Sequence, residues 1–292
     1  MTSKKPVILY YDPNAKAGPG KVIQNLKLGL DKLNIKHYLG YQNDDQVYVG
    51  VIQLMTNYQK LVEKFKETIA GPNLFVLPSE QKEFCKSFKH FIVPSQWTLD
   101  LYRQFRELDH ATIDIWPVGI DTELWKPSEN KLKAPRPLGL IYHKDRAAQD
   151  LELAKRLVAK AGADYIVLPY GNYKEMELLE AVQKVDFSIL LTGTESQGIA
   201  INQIMASNVP CYVFNKEYWD YNGQYKKVSA TSVPYFDDRC GVISPNKITV
   251  LHFKEFLEKL DTFNPRQYIL ENLDLCRQAQ KYYDLLEKYQ GQ

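Results

Sequence analysis

The 292-residue chain carries 37 Lys and Arg against 35 Asp and Glu, a formal net charge of +2, and is 45% hydrophobic and 12% aromatic. That composition supplies a large core, and the balanced charge excludes a nucleic-acid-binding stripe or a polybasic membrane patch as the basis of function. No apolar run reaches the roughly 18 residues of a membrane span, no signal-peptide core opens the chain, and Cys85, Cys211, Cys240 and Cys276 form no CxxC pair, so a soluble cytoplasmic protein with free thiols is expected.

In chain order, "PVILYY", "IKHYL", "QVYVGVI", "NLFVL", "HFIVP" and "TIDIWPV" are apolar runs rich in β-branched and aromatic residues and predict strands. Between them, Val22, Leu26, Leu30 and Leu33 recur at helical spacing, and "PSQWTLDLYRQFREL" opens as a helix at Pro94 and Ser95. A proline-spaced stretch, "LWKPSENKLKAPRP", precedes a second alternation. Its strands are "LGLIY", "DYIVLPY", "DFSILL" and "VPCYVF"; its helices are "DLELAKRLVAKAG", "KEMELLEAVQKV" and the segment after Gly198. The tail from Asn264 and Pro265 sets Ile269, Leu273, Cys276, Ala279, Tyr283 and Leu286 at spacings of three and four, which predicts one long helix. Alternation twice over predicts an α/β protein with two parallel-sheet halves, residues 1–122 and 137–264, joined by a linker at 123–136. The helix of residues 265–292 is expected to pack back on the first half.

In open parallel sheets, ligands bind outside the carboxyl ends of the strands, where helix N-termini favour anions. "GTESQGIAINQIMASNVPCYVF" lies at such a place: Glu195 stands in the loop, Gly198 permits close backbone approach, and Ile199, Ile201, Ile204 and Met205 give the helix a buried face. A capping box between Thr194 and Gln197 accounts for the same turn without a ligand. Lys144 and Arg146 follow the first strand of the second half, and Tyr170 and Tyr173 flank Gly171 after the next. Gly18, Gly20 and Lys21 open the first helix but make no Walker loop, since position 15 is alanine and Val22 replaces the Ser or Thr. Glu80 follows a strand end, where capping by Ser79 explains it equally well. The sequence has no D-x-D, the nearest being Asp44-Asp45 and Asp237-Asp238, and His37, His90, His110, His143 and His252 show no ligand spacing. No metal site is expected.

Glu195, Gly198, Gln203, Ala206, Pro210 and Val213 fall in the register of the E-x7-E signature of retaining GT-B glycosyltransferases of the group 1 (family four) class, which the segment resembles. "IDIWPVGIDTELWKP" is similar to the interdomain crossing of that class, keeping Gly119, Ile120, Asp121, Trp125 and Pro127, with Val118 in place of an asparagine. The resemblance implies a GT-B-like fold, two Rossmann-like domains facing a cleft with the last helix crossing back. It implies retaining, metal-independent transfer of a sugar from a nucleotide-sugar donor, UDP- or GDP-linked, to a saccharide or other hydroxyl acceptor, without a separate cofactor. Glu195 would contact the donor sugar, and the backbone of Gln197, Gly198 and Ile199 the sugar and phosphate. Lys144 and Arg146 would meet the leaving diphosphate, and Tyr170 or Tyr173 the nucleobase. Gly18, Gly20 and Lys21 would approach the phosphates or the acceptor. Gln203 replaces the second acid, so its amide would hold the ribose hydroxyls without charge. A non-catalytic sugar-nucleotide binder, or a phosphorylase or epimerase on the same fold, are the alternatives.

Overall fold

Residues 4–40, 46–129, 135–221, 223, 228–245 and 247–291 are described by the computed structural model. The chain divides into Met1–Gly119 with Leu273–Gln292, and Ile120–Asn272. In the first unit the elements run β1 (Val7–Tyr10), α1 (Ala17–Lys32), β2 (His37–Leu39), β3 (Tyr48–Gln53), α2 (Gln59–Lys64), β4 (Ile69–Asn73), α3 (Lys82–Ser87), β5 (His90–Val93), α4 (Gln96–Tyr102) and β6 (Thr112–Ile115). The strands form one sheet in the order β2-β1-β3-β4-β5-β6, every pair parallel. Val7, Ile8, Leu9, Val49, Val51 and Ile52 are wholly buried, as the near-continuous apolar strands of a sheet covered on both faces should be.

One strand differs from expectation. The sheet takes Ile69–Asn73, while "NLFVL" leaves it after Asn73. Phe75 serves helix packing instead, stacking on Tyr102 at 5.6 Å and meeting Phe84 edge-on at 6.1 Å, while Val76 is exposed.

The second unit runs β7 (Leu138–Lys144), α5 (Ala148–Lys160), β8 (Asp164–Pro169), α6 (Glu175–Val182), β9 (Phe187–Thr192), α7 (Ile199–Ala206), β10 (Cys211–Val213), β11 (Tyr218–Trp219), β12 (Val228–Ser229), β13 (Gly241–Ile243), α8 (Val250–Glu258) and α9 (Pro265–Asn272). Five strands make a parallel sheet in the order β13-β10-β9-β7-β8, and β11 and β12 form a separate antiparallel hairpin. Phe187, Tyr212, Phe253 and Phe256 interlock in the core between sheet and α8.

The tail is two helices, not the single one expected. The Asp274 carboxylate accepts from the backbone N–H groups of Cys276 and Arg277 and so caps a new helix, α10 (Leu275–Gln290). Residues 265–272 stay with the second unit because Arg266 donates to the carbonyls of Thr122, Trp125 and Ala206 there. Only α10 lies in the first unit, against α1, where Gly29 leaves room for Ala279 that a Cβ would take. The boundary itself falls after Gly119, whose missing Cβ admits the Leu275 backbone. Residues 130–134 of the expected linker, and Asp44-Asp45, lie outside the described residues. All four cysteines are free, and three of them are buried.

Candidate functional site

The chain leaves β7 toward β8 on one side and leaves β9 toward β10 on the other, so the connections from two neighbouring strands diverge. Divergence of this kind opens a crevice at the carboxyl ends of the two strands. The register sets Lys144, the last residue of β7, beside Thr192, the last of β9. Three residues on, Glu195 turns back, and its Oε1 lies 2.8 Å from Lys144 Nζ, the two side chains being 11% and 21% exposed. Backbone bonds hold this geometry: Gly193 N–H donates to the Lys144 carbonyl at 3.0 Å, and Glu195 N–H to the Thr231 carbonyl at 2.9 Å. Burial raises the Glu195 carboxyl above the ordinary carboxylate range, against the pull of Lys144. For Lys144, burial acts downward, but the adjacent Glu195 carries the net direction upward, so the ammonium keeps its charge.

The helix that follows is open at its start. Gly198, at φ 66° and ψ 44°, is the N-cap of α7 and, as a glycine, has no side chain to cap the first turn. The N-cap is Gly198 and not Thr194, so a Thr194–Gln197 capping box does not start this helix. Instead, Gln197 is buried, and its carbonyl accepts from Asn202 Nδ2 at 3.1 Å. Ile201, Ile204 and Met205 are buried as expected, whereas Ile199 is only half-buried. The first N–H groups of a helix lack intrahelical acceptors, and with the dipole they favour an anion.

Gln203, one turn further along α7, is 4% exposed and donates through Nε2 to Glu175 Oε1 at 2.9 Å. Glu175 opens α6 and is exposed. Tyr170 packs its ring 4.5 Å from Lys144 Nζ and is 45% exposed. Tyr173 donates its hydroxyl to the buried Tyr142 hydroxyl at 3.2 Å. Lys144, Glu195, Tyr170 and the start of α7 therefore form one neighbourhood, joined through Gln203 to Glu175.

Arg146 does not join Lys144 on Glu195. Its Nε donates to Asp150 at 2.8 Å and its Nη1 to the Phe214 carbonyl at 3.2 Å. Gly18, Gly20 and Lys21 lie in the first unit, at its own divergence between β1 and β3. A Cβ on Gly20 would fall 2.3 Å from the Ala15 carbonyl oxygen, so the turn requires glycine there. Gln53 accepts from Asp12 N–H at 2.7 Å and braces the same loop, while Lys21 donates to Gln24 at 3.2 Å. Glu80 accepts from Leu77 N–H at 3.3 Å and belongs to its own turn. Among the described residues no group of three or more His, Cys, Asp or Glu gathers as a metal-ligand cluster, and Asp237 is bound to Arg239. No helix of the described residues is long and apolar enough to cross a membrane.

Sequence reading missed Glu175, Tyr142 and Thr231. Glu175 looks like an ordinary acidic residue in a first helical turn, and nothing local says that α6 brings it to Gln203. Tyr142 and Thr231 have no motif at all.

No family model matches the chain, and no curated protein matches it. Among solved structures it is similar to a glycosyltransferase from Rickettsia africae, with TM-score 0.62 and 11% identity over 99% of both chains. It is also similar to a sucrose-phosphate synthase from Thermosynechococcus elongatus, with TM-score 0.57 and 11% identity over 99% of this chain and 100% of that one. A third is the catalytic domain of starch synthase IV from Arabidopsis thaliana bound to ADP and acarbose, with TM-score 0.62 and 10% identity over 99% and 100%. At such identities the likeness shows the fold, which is GT-B-like α/β with two parallel sheets.

Proposed function

We propose that the protein transfers a sugar from a nucleoside-diphosphate sugar to a hydroxyl of an acceptor, with retention and without a required metal. The observation that carries this reading is the Lys144–Glu195 pair, set where the connections from β7 and β9 diverge and beside a helix start whose N-cap is glycine. A leaving diphosphate develops negative charge, which Lys144 and the first N–H groups of α7 are placed to meet. The bond from the anomeric carbon to the phosphate oxygen breaks, the bond to the acceptor oxygen forms, and the acceptor proton passes to the departing diphosphate. Glu195 accepts from hydroxyls of the donor sugar and orients it, so the chemistry rests on positioning and charge rather than on an acid/base pair.

The remaining assignments follow the same geometry. Gln203 and Glu175 together offer the ribose hydroxyls an amide and a carboxylate, and Tyr170 or Tyr173 offers the base a ring face. Arg146 positions the loop behind Lys144 through Asp150 and Phe214. The donor is a UDP- or GDP-sugar, and the glycine loop at Gly18, Gly20 and Lys21 serves the phosphates or the acceptor. The test is release of nucleoside diphosphate from UDP- and GDP-hexoses in the presence of saccharide acceptors. Glu195→Ala should retain its fold by circular dichroism and lose about 100-fold or more in turnover. Turnover equal to wild type would take Glu195 out of the site.

A further inference from the structure

The loop after β7 holds a carboxylate to which the sugar-transfer reading gives no part. Asp145 follows Lys144 at φ 54°, in the left-handed region that few residues besides glycine enter and that asparagine and aspartate enter most readily. Asn34 and Asn208 take the same conformation just past the ends of α1 and α7, where a helix C-terminus accounts for it. Asp145 ends no helix. Bonds on both sides fix it instead: the Lys144 carbonyl accepts from Gly193 N–H at 3.0 Å, the His143 carbonyl accepts from Tyr170 N–H at 2.8 Å, and His143 Nε2 bonds the Arg146 carbonyl at 3.0 Å. A left-handed residue over-determined in this way, at the carboxyl end of a strand, points to a use in the site.

The same loop sets Asp145 against the turn that carries Glu195. A Cβ on Gly193 would fall 3.3 Å from the Asp145 Cβ and 3.6 Å from its carbonyl oxygen, so residue 145 packs over the start of that turn. Asp145 is exposed, and among the described residues its carboxylate enters no ion pair or hydrogen bond. Burial and the Lys144–Glu195 contact act most on those two groups, and the negative charge of Asp145 then raises both. Two carboxylates thus flank one ammonium, while Arg146, the other cation of the loop, is bound to Asp150 and to the Phe214 carbonyl.

We propose that Asp145 is a donor-specificity residue, which together with Glu195 restricts the transferred sugar to an uncharged hexose or N-acetylhexosamine and turns hexuronates away. The inference rests on the sugar-transfer reading above. Once the diphosphate lies on Lys144 and the first N–H groups of α7, the sugar beyond it meets the two carboxylates. Its hydroxyls donate to them. A hexuronate brings a third carboxylate to the same place, and like charge set against like discriminates by repulsion rather than by a lost contact.

The experiment compares dissociation constants, read from thermal-shift titrations, for UDP-glucose against UDP-glucuronate and for GDP-mannose against GDP-mannuronate, with UDP and GDP as references. Wild type should bind the hexose form of the nucleotide it accepts at least about tenfold more tightly than the hexuronate form. Asp145→Asn removes the charge and keeps a side chain that tolerates the left-handed backbone, and it should lower that ratio at least about fivefold. Asp145→Gly, which enters the same conformation without strain, should do likewise. A smaller ratio in wild type, a smaller fall in either variant, or a diphosphate shift with no hexose form bound would overturn the assignment. No shift by UDP, GDP or any of their sugars in wild type would instead overturn the sugar-transfer reading, and the assignment with it.

Discussion

Gln203 and Glu175 meet at 2.9 Å with one formal charge between them, and Gln203→Glu would set a second carboxylate directly against the first. Gln203→Glu should therefore destabilise the protein by about 2 kcal/mol near neutral pH, the scale of a buried polar group stripped of its partner. Adding Glu175→Gln, which reverses the pair, should recover most of the loss, as read from urea midpoints. A single variant as stable as wild type would place the two side chains apart. At this scale the sequence was legible where chemistry is local. Glu195, Gly198 and Lys144 could be marked from strand ends and a turn, because those residues sit where the chain leaves the sheet. Glu175 was not legible, since its partner stands 28 residues away on another helix. Arg146 pairs four residues ahead with Asp150, an i,i+4 spacing that the sequence does display.

Among the elements, α10 shows what periodicity can and cannot tell. Spacings of three and four continue through residues 269–286, yet the helix breaks where Asp274 caps a new start. Apolar period alone does not register a cap inside it. The same helix buries Tyr282 completely, with its hydroxyl unpartnered in front of Gly50. Tyr282→Phe should accordingly be neutral or stabilising by up to about 1 kcal/mol, and a loss of more than that in a denaturant titration would mean the hydroxyl has a partner. The last turn of α10 is fastened elsewhere: Gln290 bonds the N–H and carbonyl of Val49 at 2.7 and 2.8 Å, and Tyr289 donates to Asp114 at 2.6 Å while stacking on His90. His90 in turn bonds Glu67 at 2.8 Å. Hydrogen bonds from Lys89 and His90 hold the Glu67 carboxyl below its ordinary value of 4.5. A lowered folded value means that this stability is present above about pH 4.5 and is lost as pH falls through the folded value. Melting temperature measured from about pH 6 down to 3 should fall less steeply in Glu67→Gln than in wild type; parallel curves would detach Glu67 from acid stability.

For the whole molecule, two parallel α/β units could be read from alternating strands and amphipathic helices, because strands buried on both faces are apolar throughout. β13, α8 and the β11–β12 hairpin escaped that reading. β13 is only three residues long, and the hairpin strands are two each, too short for any period to register. "NLFVL" misled for the opposite reason, since an apolar run of strand length can equally feed helix packing. What the alternation did convey is a parallel sheet, and the strand order of that sheet places the crevice where Lys144 meets Glu195. The most direct test of that crevice is a thermal-shift titration with UDP, GDP, ADP and CDP on wild type and Lys144→Ala. A diphosphate at about 100 times its dissociation constant adds roughly 2.7 kcal/mol of stability, so one nucleotide should raise the melting temperature of wild type clearly and that of Lys144→Ala much less. No shift by any diphosphate, or an equal shift in both proteins, would contradict a nucleotide site at the ends of β7 and β9.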